Sequence, residues 1–292
     1  MIETHRVTAN GFDFAVDQAG AGDRFALCLH GFPESRYSWR WQLPELARLG
    51  FRAWAPDLRG YGDTEPRPQA VSAYHIDRLC DDVAALIDAA GAKSVTLVAH
   101  DWGAIIAWTF ASRRIRALDR LVIMNVPHPA CFADAVRRSA AQRKRSWYMW
   151  FFQLPWAPEA MLTANGARAV KRAFSEMAID KSRFPAEVLD HYAANALKPG
   201  AMTAMVNYYR AAARARRVFE GAWPIIETPT LIVWGEEDAA LGLETLDGVE
   251  RYVADVTIER LPGVSHWVQQ EAPEEVNAIL ARWLNGPRSL KR

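Results

Sequence analysis

Cysteine is scarce in this 292-residue chain, and the three that occur are odd in number and scattered, which excludes a disulfide framework. Cys28, Cys80 and Cys131 show no CxxC spacing. Cys28 falls in a run that reads as a buried strand, so inert core thiols in a reducing cytoplasm are the expectation. No uninterrupted apolar run reaches membrane-spanning length, and Met1–Arg6 lacks the apolar core of a signal peptide, so no stable membrane insertion is expected. Net charge is nearly absent, with 35 basic against 34 acidic residues, and nothing in it asks for nucleic acid. Internal repeats and low-complexity segments are missing. So is any cluster with metal-ligand spacing, and neither a metal nor an organic cofactor is expected.

What is present is an ordinary globular composition, half apolar, long enough for one substantial core or a core with a smaller insert. The charge is unevenly spread. From His128 to Phe219 there are 15 basic and 6 acidic residues, leaving 20 and 28 elsewhere, a shift that marks a segment with its own surface. Arg137-Arg138 and Arg143-Lys144-Arg145 raise the question of an anionic partner. Without interleaved aromatics of the nucleic-acid kind, they read as a solvated helix face.

The first third alternates strand and helix signals. Arg24–Leu29 and Phe51–Ala55 read as buried strands, Tyr37–Leu49 as a helix stopped at Gly50, and Ser72–Ala90 as an amphipathic helix ending at Gly91. With the strands Val95–His100 and Arg120–Met124 this is βα winding around a mostly parallel sheet. Strand signals then vanish for about ninety residues of helical, aromatic-rich sequence broken by Pro155, Pro158, Pro185 and Pro199. They resume at Thr230–Trp234 and Val256–Arg260, before a helix that follows Pro273 and a tail, 287–292, expected to fray. The expected layout is an α/β core, 1–129 and 220–292, interrupted by a helical cap, 130–219.

Ala99-His100-Asp101-Trp102-Gly103 follows the pattern of a nucleophile elbow, a tight strand-to-helix turn whose small flanking residues avoid a clash. The central residue stands at the carboxyl end of the sheet against a helix N-terminus. Here it is aspartate rather than serine. Serine attacking a saturated carbon would leave an ether that water cannot clear. A carboxylate leaves an ester, which activated water hydrolyses, so displacement at sp³ carbon on epoxides or alkyl halides is indicated. The plainer alternative is that Asp101 merely caps its helix.

Several short motifs arrive in one order: His30-Gly31-Phe32-Pro33-Glu34-Ser35, His100-Asp101-Trp102-Gly103, Asn207-Tyr208-Tyr209-Arg210, Trp234-Gly235-Glu236-Glu237-Asp238 and Pro262-Gly263-Val264-Ser265-His266-Trp267. Together they resemble the α/β-hydrolase fold, and within it the soluble epoxide hydrolases, over nearly the whole chain. The resemblance implies His266 as base and Asp238 as the acid orienting it, with Glu236, Glu237 and Asp247 as compositional rivals. Relatives that carry the acid one strand earlier would place it at Asn125-Val126-Pro127, where no carboxylate stands. His30 and His100 are expected to serve packing and turn geometry.

Epoxide opening leaves an alkoxide, which needs a donor; a phenol, with a pKa of about 10, donates while staying neutral. The resemblance implies Tyr209 and Tyr148 for that role, with Tyr208 the rival about 100° around the helix. It implies an oxyanion hole from the backbone N–H groups of Phe32 and Trp102, and a pocket walled by Trp102, Trp147, Trp150, Phe151 and Trp267. For Trp147, Trp150, Phe151 and Trp156, a place in the core of the cap is the other reading. The expected reaction turns an apolar epoxide and water into a vicinal diol, by a monomer or homodimer. Two alternatives stand beside it: a dehalogenase of the same fold, and a non-catalytic ligand-binding member. Trp102 keeps the dehalogenase open, whereas Phe32 replaces its usual asparagine donor. Trp102 also stands where fluoroacetate dehalogenases carry arginine, and their cap histidine would fall near Tyr148.

Overall fold

Val95–His100, Phe25–Leu29, Arg120–Met124 and Thr230–Gly235 are buried at every residue. Runs without alternation belong to strands covered on both faces, as in a parallel sheet flanked by helices. The computed structural model describes residues 1–215 and 223–286 and shows that sheet. Its eight strands are β1 (Glu3–Ala9), β2 (Phe12–Ala19), β3 (Arg24–Leu29), β4 (Phe51–Pro56), β5 (Ser94–His100), β6 (Arg120–Met124), β7 (Thr230–Gly235) and β8 (Val256–Leu261). They lie in the order β1-β2-β4-β3-β5-β6-β7-β8. β1 and β2 pair antiparallel, as do β2 and β4, and every other pairing is parallel.

The helices are α1 (Gln42–Arg48), α2 (Ile76–Ala89), α3 (Trp102–Ser112), α4 (Pro129–Arg138), α5 (Ala140–Arg145), α6 (Trp147–Phe151), α7 (Ala157–Met177), α8 (Ala186–Ala196), α9 (Ala201–Arg214), α10 (Val268–Glu271) and α11 (Pro273–Asn285). Two apolar layers sandwich the sheet. Leu79, Val83 and Trp108 of α2 and α3 pack on one face, and Leu43, Leu46, Val276 and Leu280 of α1 and α11 on the other. Helices α4 to α9 all fall between β6 and β7. The prolines punctuate this stretch as their missing N–H requires: Pro158 lies in the first turn of α7 and Pro185 at the N-cap of α8. The expected boundary at 219/220 and the tail 287–292 lie outside the described residues. Cys28, Cys80 and Cys131 are free and buried.

Three elements differ from the sequence reading. The Tyr37–Leu49 helix is two pieces, a 3₁₀ turn at Arg36–Trp39 and α1. Ser72–Ala90 likewise splits at His75, whose side chain caps α2 by accepting the Asp77 N–H. The β1–β2 hairpin escaped notice although Asn10-Gly11, both at positive φ, is a strong hairpin signal. Its outer strand is largely exposed and polar, so it lacks the buried apolar run that marks the others.

The elbow depends on close approach. A Cβ on Gly103 would drive into the carbonyl oxygens of Leu29 and His30. Gly103→Ala is therefore expected to destabilise the fold by about 1–3 kcal/mol through overpacking, read as a lower thermal midpoint against wild type.

Candidate active site

Loops from the carboxyl ends of β3, β5, β6, β7 and β8 meet where the strand order reverses around β3, the usual place for a ligand in an open parallel sheet. Asp101 follows β5 at φ +46° and ψ −121°, a conformation strained for an L residue and typical of a functional turn. Its side chain makes no capping bond to α3 among the described residues, so it is not there as a helix cap. Oδ1 instead accepts the Phe32 N–H at 2.6 Å, and Oδ2 lies 3.6 Å from His266 Nε2. Gly31 permits this closeness, since a Cβ there would collide with the Asp101 carboxylate.

On the far side of the imidazole, His266 Nδ1 donates to Asp238 Oδ2 at 2.6 Å. Asp238 also accepts the amides of Ala240 and Leu241 through Oδ1, at 2.8 and 2.9 Å, and Asn125 Nδ2 through Oδ2 at 2.9 Å. Its rival Glu236 turns away to Arg260. Burial alone would raise the pKa of both aspartates. The His266 charge and hydrogen bonds outweigh it, and both carboxyls stay below their usual range. Burial pulls His266 down, but its two carboxylate neighbours prevail and lift its pKa to about 10. The resting imidazole therefore carries a proton between two anions.

Asp101 and His266 open onto a cavity of about 360 Å³ together with Tyr148 of α6 and Tyr209 of α9. The two phenol rings stand 6.0 Å apart, centre to centre. Both phenols are raised above their ordinary pKa, by burial first and then by the Asp101 charge, so both keep their protons. Tyr208 is elsewhere: its hydroxyl donates to the Arg59 carbonyl at 2.8 Å. Arg210 donates to the carbonyls of Phe152 and Leu154 and pairs with Glu159. Gln153 reaches the carbonyls of Met149 and Tyr209, and these contacts clamp the two tyrosine-bearing helices together. A smaller cavity of about 150 Å³ shares Asp101, Tyr148 and Tyr209 and continues past Trp102, Phe132 and Met149. Asp101 and the two tyrosines thus line both spaces.

A sequence model described as the alpha/beta hydrolase fold matches residues 27–273. Epoxide hydrolase 2 of Caenorhabditis elegans is 36% identical over 92% of this chain and 76% of its own length. Epoxide hydrolase 4 of Homo sapiens is 35% identical over 96% and 77%. The crystal structure of the Bacillus megaterium epoxide hydrolase with an inhibitor superposes at a TM-score of 0.88, with 33% identity, over 97% of this chain and all of that one. The chain belongs to the epoxide hydrolase family of the α/β-hydrolase fold.

Within this family member the structure gathers Asp101, His266, Tyr148, Tyr209 and Phe32 around one space, with Asp238 behind His266. Trp147, Phe151 and Trp267 line the larger cavity and Trp102 the smaller. Trp150 does not belong with them. It is 79% exposed on the outward side of α6, about 200° around the helix from Tyr148. Trp156, 77% exposed, is neither cap core nor part of the cavity around Asp101.

Three residues have a place here that sequence reasoning missed. Glu34 is fully buried and accepts from Gly31 N, His100 Nδ1, Gln269 Nε2 and Gln270 Nε2. His100 in turn donates through Nε2 to the His266 carbonyl at 2.9 Å. The loops after β3, β5 and β8 are thereby joined. Asn125, noted only for lacking a carboxylate, donates to Asp238. Glu271 accepts the amides of Ile179 and Asp180, both at 2.9 Å, and both the amide and the hydroxyl of Ser265. It ties the segment after α7 to the residue before His266. Motif membership was a signal for Glu34, whereas Glu271 offered none. Glu271→Ala would strand four donors and cost about 3 kcal/mol or more, with Glu271→Gln intermediate, measured as shifts in the denaturation midpoint.

Proposed function

We propose that this chain hydrolyses epoxides to vicinal diols in two steps, through a covalent ester on Asp101. One observation carries the reading: a carboxylate exposed only to the cavity faces two neutral phenols across it, with an imidazole–carboxylate pair directly behind it. The family relationship supports the same substrate class. Asp101 Oδ2, which the Phe32 amide leaves free, attacks an epoxide carbon. The C–O bond breaks and the departing oxygen accepts hydrogen bonds from Tyr148 and Tyr209. The opened oxygen takes a proton from one phenol, which solvent re-protonates, and His266 releases its own proton to solvent once Asp101 is an ester, so charge balances.

Alkylation then changes the electrostatics of the base. As an ester, Asp101 no longer bears the negative charge that helped hold a proton on His266, so the imidazole pKa falls below its resting value of about 10. The neutral imidazole, oriented by Asp238, takes a proton from water, and hydroxide attacks the ester carbonyl. Phe32 N–H already sits on Oδ1, where the oxyanion develops, and Trp102 N–H is the second donor in this reading. The acyl C–O bond breaks, the leaving oxygen takes the proton that the attacking hydroxide brought, the diol leaves, and Asp101 is restored as a carboxylate beside a protonated His266. The helices between β6 and β7 act as the cap. The apolar cavity walls, and the division of space between a larger and a smaller arm, favour epoxides bearing one bulky apolar substituent.

The mass of a His266→Ala variant tests the chemistry. Incubation with an aryl epoxide is expected to add the mass of the whole epoxide and to add nothing when Asp101 is also Ala. Addition of an alkyl group alone, seen with a bromoalkane and not with the epoxide, would make the enzyme a dehalogenase instead.

The pH dependence follows from His266. Below the pKa of the imidazole in the ester state, the base is protonated and ester hydrolysis slows about tenfold per pH unit. Ring opening stays level there because the Asp101 carboxyl, held low, remains ionised. Rapid-quench mass spectrometry of the wild type is expected to show the ester accumulating in acid and vanishing in mild alkali.

A further inference from the structure

Large apolar side chains exposed to solvent are concentrated in one place. Of the eleven among the described residues, five fall between 147 and 161: Trp147, Trp150, Leu154, Trp156 and Met161. The three tryptophans are 60%, 79% and 77% exposed. Trp156 is held at φ +49°, a conformation a bulky residue adopts only under strain, with its indole in solvent. Charge along the segment itself has one sign, although Arg145 is paired with Glu244 from the core. No Asp or Glu occurs between Asp134 and Glu159, and those two pair with Arg137 and Arg210. Arg138, Arg143 and Lys144 are exposed and stand in no ion pair among the described residues. Trp147 and Met161 also line the mouth of the apolar cavity that holds Asp101.

We propose that this face, the outer side of α5, α6 and the start of α7, docks reversibly on an anionic lipid bilayer. Tryptophan suits the boundary between headgroups and acyl chains, and neighbouring basic residues add attraction to acidic lipids. The docking is peripheral, since among the described residues no helix is long and apolar enough to cross a membrane. A two-fold dimer through the same face would set its unpaired cations against each other, which disfavours a second copy as the occupant. On the bilayer the cavity mouth would open toward the phase in which apolar molecules dissolve. The proposal concerns binding and stands apart from the chemistry at Asp101.

The test is flotation of the purified protein with phosphatidylcholine vesicles, with and without about 30 mol % phosphatidylglycerol. Binding to the anionic vesicles, a blue shift of tryptophan emission and release by salt are expected. Trp150→Ser with Trp156→Ser should lower partitioning about tenfold or more, and Arg143→Glu with Lys144→Glu should do the same. All variants should keep the wild-type circular dichroism and the same turnover of a water-soluble epoxide. Absence of binding, or binding that survives both double variants, would overturn the proposal. So would a dimer in light scattering that the tryptophan changes dissociate while vesicles stay unbound.

Discussion

Two carboxylates share one buried imidazole, and much of this molecule serves to make that arrangement stable. Withdrawing Asp238 and His266 from water, and Asp101 from most of it, is unfavourable for each charge taken alone. The structure offsets the penalty with hydrogen bonds to each group. Asp238 takes two backbone amides and an asparagine besides the imidazole. Asp101 takes the Phe32 amide at 2.6 Å. The unequal distances from the ring, 2.6 Å to Asp238 and 3.6 Å to Asp101, hold the imidazole firmly on one side and leave the other carboxylate facing the cavity.

That geometry needs loops from separate strands to keep their spacing, and buried carboxylates hold them together. Glu34 joins the loop after β3 to His100 at the end of β5 and to both glutamines of α10. Glu271 joins the loop carrying Ser265 to the helical insertion above it. Trp267 reinforces the second link, since its indole donates to the Ala173 carbonyl and its ring lies against Phe174. An anion that accepts four hydrogen bonds inside the protein has no equivalent arrangement elsewhere, so each acts as a directional cross-link between segments distant in sequence.

The helical insertion divides its aromatics by direction. Tyr148, Phe151 and Phe152 face the cavity, and edge contacts from Phe32, Phe152 and Trp102 fix the ring of Tyr209. Trp150 and Trp156 face the opposite way. Both sets lie within ten residues of one another in a segment without a regular period. Short helices broken by turns carry neighbouring residues to different sides, so composition alone makes the whole run look like a pocket.

The core strands, the order of the motifs and the exchange of serine for aspartate were legible in the chain, because each is a local property. A buried parallel strand must be apolar throughout, an elbow must be flanked by small residues, and an aspartate nucleophile restricts the carbon it can turn over. The hairpin at Asn10-Gly11 was equally local and equally legible, though its exposed strand obscured it. Resemblance named Tyr209 over Tyr208 and Asp238 over Glu236 and Glu237, but only the tertiary structure gave the physical reason, in which side chain faces the cavity and which meets the imidazole. It also revealed that Glu34, Asn125 and Glu271 stand behind the site, and that Trp150 points outward. Each of these depends on contacts between residues up to about 235 positions apart, and such contacts leave no period or spacing in the chain for a reader to detect.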